Sequence, residues 1–231
     1  PDGATEFYNQ YFGVERFVRC RSGRFGNTLW TVELPDSVEA HLAATGDVDG
    51  DGLGDFLLAI PEADFRIVEE AGSVTLRSGL DGSVIAEMGG SFNGKQLGLG
   101  MAGLGDVDGD SVPDFALARI AYPAGLADRN LVDVISGASL ATIATFPGTH
   151  YGHGLRAGIA GIGDVNGDQI RDIAIADQYN NNTGRVRIFS VEPLPLATAT
   201  ILGTGCVGST GVSQLTPIDV PALGSSYDLQ L

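Results

Sequence analysis

Basic residues are scarce in this chain of 231 residues: 13 lysines and arginines stand against 29 aspartates and glutamates, a formal charge of −16. So acidic a surface repels phosphate, which speaks against nucleic acid and anionic membrane as partners. No apolar run reaches the roughly 18 residues of a spanning helix, so no membrane span is expected. Only two cysteines occur, Cys20 and Cys206, far apart and without a CxxC spacing, and a zinc or thioredoxin-like site is therefore not expected. A disulfide tying the first β-element to the last, a bond between subunits and unpaired thiols remain as alternatives. The chain also lacks a G-x-S-x-G elbow, a P-loop and a dinucleotide fingerprint, and no odd carboxylate pair asks for acid–base work. A non-catalytic protein is expected. His150 and His153 form an H-x-x-H, but the glycines and aromatics around it favour a turn over a metal site. Asn181-Asn182-Thr183 matches the N-glycosylation spacing and is taken as incidental. Pro1-Asp2-Gly3 is neither an initiator nor a signal peptide, so a processed chain, or part of a longer one, is expected.

What is abundant is glycine, 34 residues, with 10 prolines and 43% hydrophobic residues. Their dispersal without a short period predicts many short strands separated by tight turns, an all-β fold with a sizeable core. An internal repeat organises these strands. Gly46-Asp47-Val48-Asp49-Gly50-Asp51 aligns without gaps with Gly105-Asp106-Val107-Asp108-Gly109-Asp110 and with Gly163-Asp164-Val165-Asn166-Gly167-Asp168. The period is 59 and then 58 positions, too long for a helical-pair solenoid and suited to one four-stranded blade. After each acidic stretch comes a short apolar run, Phe56 to Ile60, Phe115 to Ala118 and Ile173 to Ala176, read as strands buried on both faces. Small-residue runs before the loops, such as Leu97 to Gly103, suit an inner strand near a crowded axis. Alternating strands follow at Gly72 to Leu76, Leu131 to Ile135 and Gly184 to Phe189. Arg16 to Cys20 and Thr28 to Val32 resemble the same outer strands without a preceding loop, as though the start of that blade were missing or came from elsewhere.

Within each loop the acidic or amide side chains fall at relative positions 1, 3, 5 and 9: Asp47, Asp49, Asp51 and Asp55; Asp106, Asp108, Asp110 and Asp114; Asp164, Asn166, Asp168 and Asp172. A tight loop turns alternate side-chain oxygens inward, and the carbonyls of Leu53, Val112 and Ile170, at position 7, can fill the gap. An all-oxygen set of this size favours Ca²⁺ over Mg²⁺, which keeps its waters, and over zinc, which wants nitrogen or sulfur. Carboxylates so crowded repel one another without a counter-charge. A solvated turn is the alternative to a metal loop and is the lesser reading even for one such stretch; three aligned copies favour three calcium sites further. An EF-hand needs a bidentate acid at position 12, where this chain has Leu58, Leu117 and Ile175, and a glycine at position 6, which appears only as Gly52, with Ser111 and Gln169 in the other loops.

The DxDxDGxxD loop entering an apolar strand at this spacing resembles the FG-GAP repeats of integrin α-chain β-propellers, over roughly residues 35–192. In that family the acidic positions named above bind calcium on one face of a seven-bladed propeller. The flanking Phe-Gly survives only as Leu97-Gly98 and Tyr151-Gly152, and the Gly-Ala-Pro only as Ala59-Ile60-Pro61. Three loops cannot make seven blades, so the expected β-propeller-type fold is incomplete within this chain, or is completed by other copies or further blades. The organisation expected is a partial N-terminal blade over 1–34, three calcium-binding repeats over 35–192 and a β-tail over 193–231. The tail's Gly203-Thr204-Gly205-Cys206 resembles segments that follow repeat regions in secreted bacterial proteins, and its last residues suit donation of a strand to a neighbour's sheet edge. The resemblance implies a secreted or cell-surface structural or adhesion module, with an extracellular protein or carbohydrate surface as ligand. A self-assembling fibre subunit and the non-catalytic part of a secreted hydrolase or lyase are the alternatives.

Overall fold

A computed structural model describes residues 3–8, 16–35, 38–91, 96–121, 129–147, 158–178, 184–191, 204–208, 211–214 and 227–229, and its regular elements are all strands. Three of its antiparallel sheets repeat one plan. In the first repeat unit β4 (His41–Gly46), β5 (Asp55–Ile60), β6 (Ser73–Arg77) and β7 (Val84–Gly89) lie side by side in chain order. The second unit places β8 (Met101–Gly105), β9 (Asp114–Ala121), β10 (Arg129–Ile135) and β11 (Thr142–Pro147) in the same way. The third has β12 (Ile159–Gly163), β13 (Asp172–Gln178) and β14 (Gly184–Ser190), with β17 (Tyr227–Leu229) in the fourth place. Ahead of them, β1 (Gly3–Tyr8), β2 (Arg16–Ser22) and β3 (Thr28–Leu34) form a three-stranded sheet, and β15 (Thr204–Gly208) pairs with β16 (Gly211–Gln214).

The first strands of successive units pack against one another, β4 on β8 and β8 on β12. Glycine makes this approach possible: a Cβ on Gly103 would stand 2.3 Å from the Ala44 carbonyl oxygen, and one on Gly161 would stand 2.6 Å from that of Gly103. The small-residue run before the second loop therefore does the packing expected of it, although its strand begins at Met101 rather than Leu97. The core lies between sheets. Leu57, Ala59, Val74 and Leu76 meet Phe115, Leu117 and Ile135 between the first and second units. Ala116, Ala118, Val132 and Val134 meet Ile173, Ile175 and Phe189 between the second and third. The second strands are consequently covered on both faces in the first two units, whereas Ala174 and Ala176 of β13 are only half-buried, and among the described residues no further sheet lies on that face.

The N-terminal sheet joins the same stack through Val18, Phe56 and Leu58. Trp30 stacks on Phe56 with ring centroids 5.3 Å apart, and its Nε1–H donates to the Gly79 carbonyl at 3.0 Å. The expected strands around Arg16 and Thr28 are present as β2 and β3, and β1 adds a third that the sequence did not announce. In the tail, β17 pairs antiparallel with β14 of the same chain, Val186 opposite Leu229, Arg187 opposite Asp228 and Ile188 opposite Tyr227. Cys20 is a buried free thiol whose pKa burial pushes up, while the side chain of Cys206, on β15, lies outside the described set. His150, His153 and Asn181-Asn182-Thr183 also lie outside the described residues. Among those described, no helix is long and apolar enough to cross a membrane.

Candidate metal centres

Each acidic loop joins the first strand of a unit to the second. In all three the strand pair closes with the same irregularity, a register shift after which Gly46 faces Asp55, Gly105 faces Asp114 and Gly163 faces Asp172. The glycines take left-handed φ values of 103°, 73° and 73°, and the aspartate opposite is position 9 of its loop, now buried.

Position 1 organises the turn. Asp47 accepts hydrogen bonds from the N–H groups of Gly50 at 2.8 Å and Gly52 at 2.9 Å; Asp106 does the same for Gly109 at 2.7 Å and Ser111 at 2.9 Å, and Asp164 for Gly167 at 2.6 Å and Gln169 at 2.8 Å. The side chains at position 3 accept from the N–H at position 5, Asp49 from Asp51 at 3.1 Å, Asp108 from Asp110 at 3.2 Å and Asn166 from Asp168 at 2.9 Å. Position 5 accepts from position 7: Asp51 from Leu53 at 2.7 Å, Asp110 from Val112 and Asp168 from Ile170, both at 2.8 Å. This ladder of Asx-type bonds is what bends nine residues into one loop.

Carboxylates converge in two of the loops. Asp47, Asp49 and Asp55 each bring an oxygen within 4.8 Å of the other two, and so do Asp106, Asp108 and Asp114. Either cluster could hold a metal ion. The donors are oxygen alone, a set that suits a hard cation such as Ca²⁺ or Mg²⁺ better than zinc. Asp51 and Asp110 stand outside the converging triples, with one oxygen each given to the backbone of position 7.

The third loop differs, and its substitutions explain why. Asn166 replaces a carboxylate, and its amide Nδ2 donates to Asp168 Oδ2 at 2.7 Å, an oxygen that the Ser190 hydroxyl also reaches at 3.2 Å. The charge of Asp168 is thus taken up by neutral donors within the protein. No third converging acidic triple is found among the described residues.

The conformation at position 6 revises the comparison with EF-hand loops. Gly52, Ser111 and Gln169 share a left-handed φ of 87°, 72° and 73°, so a missing glycine there does not distinguish the loops. The strands on both sides of every loop do.

Position 9 has a second duty that the loop pattern alone does not reveal. Asp55 Oδ2 accepts from Val48 N at 2.7 Å and Asp49 N at 3.2 Å, and its Oδ1 accepts from Gly79 N at 3.0 Å. Asp114 Oδ2 accepts from Val107 N at 2.7 Å and its Oδ1 from Gly137 N at 2.9 Å. Each aspartate therefore clamps its loop to the turn that ends the third strand. Gly79 and Gly137 are needed there because a Cβ would stand 1.9 Å from the Gly54 oxygen in one unit and 2.0 Å from the Pro113 oxygen in the other. In the third unit Asp172 faces Ser190, so the corresponding residue is Val191. Asp172 Oδ2 still accepts from Val165 N at 2.8 Å, but its buried Oδ1 has no hydrogen-bond partner. The available signal was the recurrence of Ser78-Gly79 and Ser136-Gly137 at 24 and 23 positions beyond the position-9 aspartate.

Burial pushes the carboxyls of Asp55, Asp114 and Asp172 above their ordinary range, against the opposing pull of the N–H groups they accept from. A cation beside such a group supplies the charge compensation that water cannot. Neither protein-family models nor curated proteins give a match to this chain.

Proposed function

We propose that this chain is a calcium-binding structural or adhesion module of the FG-GAP, β-propeller type, acting at the cell exterior, in which bound ions rigidify the hairpin that opens each unit. The observation that carries the reading is the convergence of three carboxylates in each of two successive loops. Their equivalence by repeat and their oxygen-only donors point to a hard cation. Calcium at extracellular concentrations fills sites too weak for the cytosol, and flexible oxygen loops of this kind suit such a range.

Two ions per chain are proposed at full occupancy, in the loops of Asp47 and Asp106. The third loop has spent its charge on Asn166 and Ser190 and binds more weakly. Sheets stacked through their first strands, with a core between each successive pair, support the propeller arrangement, since each unit buries its apolar faces against its neighbours. The role is scaffolding and surface binding; no chemistry is assigned to the aspartates beyond holding the ion and the loop.

Calorimetric titration of the metal-free chain with calcium tests this. Two sites are expected, with Asp49→Asn removing one and Asp108→Asn removing the other while leaving its neighbour nearly unchanged. Absence of binding at millimolar calcium, together with a Tm indifferent to chelator, would refute the proposal, because an ion bound only by the folded state must raise Tm.

A further inference from the structure

The third unit is closed by a strand that arrives late in the chain. In the first unit β7 begins seven positions after β6 ends, and in the second β11 begins seven positions after β10 ends. The edge of β14 is taken instead by β17, which begins 37 positions after β14 ends. It makes three register pairs, where the closing strands of the other units make five each.

We propose that the edge of β14 is an exchangeable strand-acceptor site, which a second copy of this chain fills with its own β17. The inference stands on this pairing and does not depend on the metal centres. The advantage of an in-chain strand over an incoming one is its effective concentration, which falls as the connector lengthens, and the connector here is 37 positions against seven. A strand from another copy has the same sequence and meets the same edge, so the exchanged ladder equals the one it replaces. Only connector entropy separates the two arrangements, the condition under which domain swapping competes with closure in one chain.

The register makes the acceptor selective. Arg187 on β14 is buried, and β17 sets an acidic residue, Asp228, directly opposite it. Opposite charges at facing positions favour this alignment, and a slip of one residue would turn every side chain of the short strand to the other face. An uncovered β14 would present a bare strand edge, with the half-exposed Val186 upon it, so the edge is expected always to be occupied, in one way or the other. Copies held close together, on a surface or in a fibre, tip the choice toward exchange.

The test uses the facing pair Val186 and Leu229, in full-length chains carrying Cys206→Ser so that the buried Cys20 is the sole remaining native thiol. The double variant Val186→Cys/Leu229→Cys closes a disulfide within one chain at micromolar concentration. Two single variants, one carrying Val186→Cys and the other Leu229→Cys, are mixed and oxidised at increasing concentration. Exchange predicts a reducible heterodimer that grows with concentration, exceeds either homodimer at least tenfold, and is lost when Asp228→Lys is added to the donor. Failure of the heterodimer to form up to millimolar concentration would overturn the proposal, as would a heterodimer indifferent to Asp228→Lys. Failure of the double variant to close would overturn the placement of β17 from which it follows.

Discussion

Gly137→Ala probes the clamp between loop and sheet more cleanly than any change to the aspartates, because it removes no charge and no hydrogen-bonding group. The added methyl would sit 2.0 Å from the Pro113 carbonyl oxygen, where carbon and oxygen normally stay about 3.3 Å or more apart. The two backbones must part by over an ångström, and the 2.9 Å bond from Gly137 N to Asp114 Oδ1 cannot survive that movement. A hydrogen bond to a charged group contributes about 1.5–3 kcal/mol, and the oxygen left behind is buried on a residue with no exposure to water. A loss of about 2–3 kcal/mol is expected.

The third unit shows the end state, since Val191 occupies the equivalent place and Asp172 Oδ1 lacks a partner there. Gly109→Ala serves as the comparison: its φ of 85° costs an L-residue about 1 kcal/mol, but a Cβ there meets nothing within 4 Å. Urea unfolding in excess chelator measures both, and calcium titration measures whether the second site weakens when its third carboxylate is set loose. If Gly137→Ala costs no more than Gly109→Ala, the clamp is not a source of stability and the account of position 9 is wrong.

Ser111→Gly and Gln169→Gly should each stabilise the chain by up to about 1 kcal/mol, because both residues hold left-handed φ angles of 72° and 73°; destabilisation of both would show that their side chains contribute more than the strain costs. The pH response should change sign with calcium. The folded-state pKa values of Asp55, Asp114 and Asp172 lie above the ordinary 3.8, so the folded chain binds protons more tightly, and this contribution to stability is lost as pH rises through the raised values. In chelator, unfolding free energy should therefore rise on acidification from neutrality as the pH falls through the raised values, aided by relief of the net charge of −16. In calcium it should fall, because protons displace the ion; parallel curves would refute this. The single tryptophan should report on the first loop alone. Trp30 donates to the Gly79 carbonyl at 3.0 Å, and Gly79 N donates to Asp55 Oδ1 at 3.0 Å, so calcium should shift its emission in the wild type and in Asp108→Asn but not in Asp49→Asn. The reverse pattern would break the proposed link.

How much of this was legible beforehand depends on where each signal resides. The acidic loops repeat without gaps, and the apolar runs after them are continuous, so strands β5, β9 and β13 and the hairpins entering them could be read from local pattern. The closing strands β7 and β11 could not. Val84 and Ile85 of β7 are partly or largely exposed, and an edge strand that packs on only one side need not carry a strong alternation. The clamp was hidden for a different reason. It joins Asp55 to Gly79 and Asp114 to Gly137 across more than 20 positions, and a backbone donor has no sequence signature beyond the glycine that lets it approach. Loop three shows the limit of reading ligands by alignment. Its three aspartates and one asparagine occupy the right places, yet replacing Asp by Asn at position 3 supplies donors as well as removing charge, and where glycine closes the clamp in the other units Val191 stands and Asp172 Oδ1 has no partner. Two changes, neither decisive alone, separate a loop that gathers carboxylates from one that neutralises its own. The Asn166→Asp variant tests whether that separation is electrostatic: it should restore a third calcium site if charge decides, and should fail to do so if the unclamped Asp172 does.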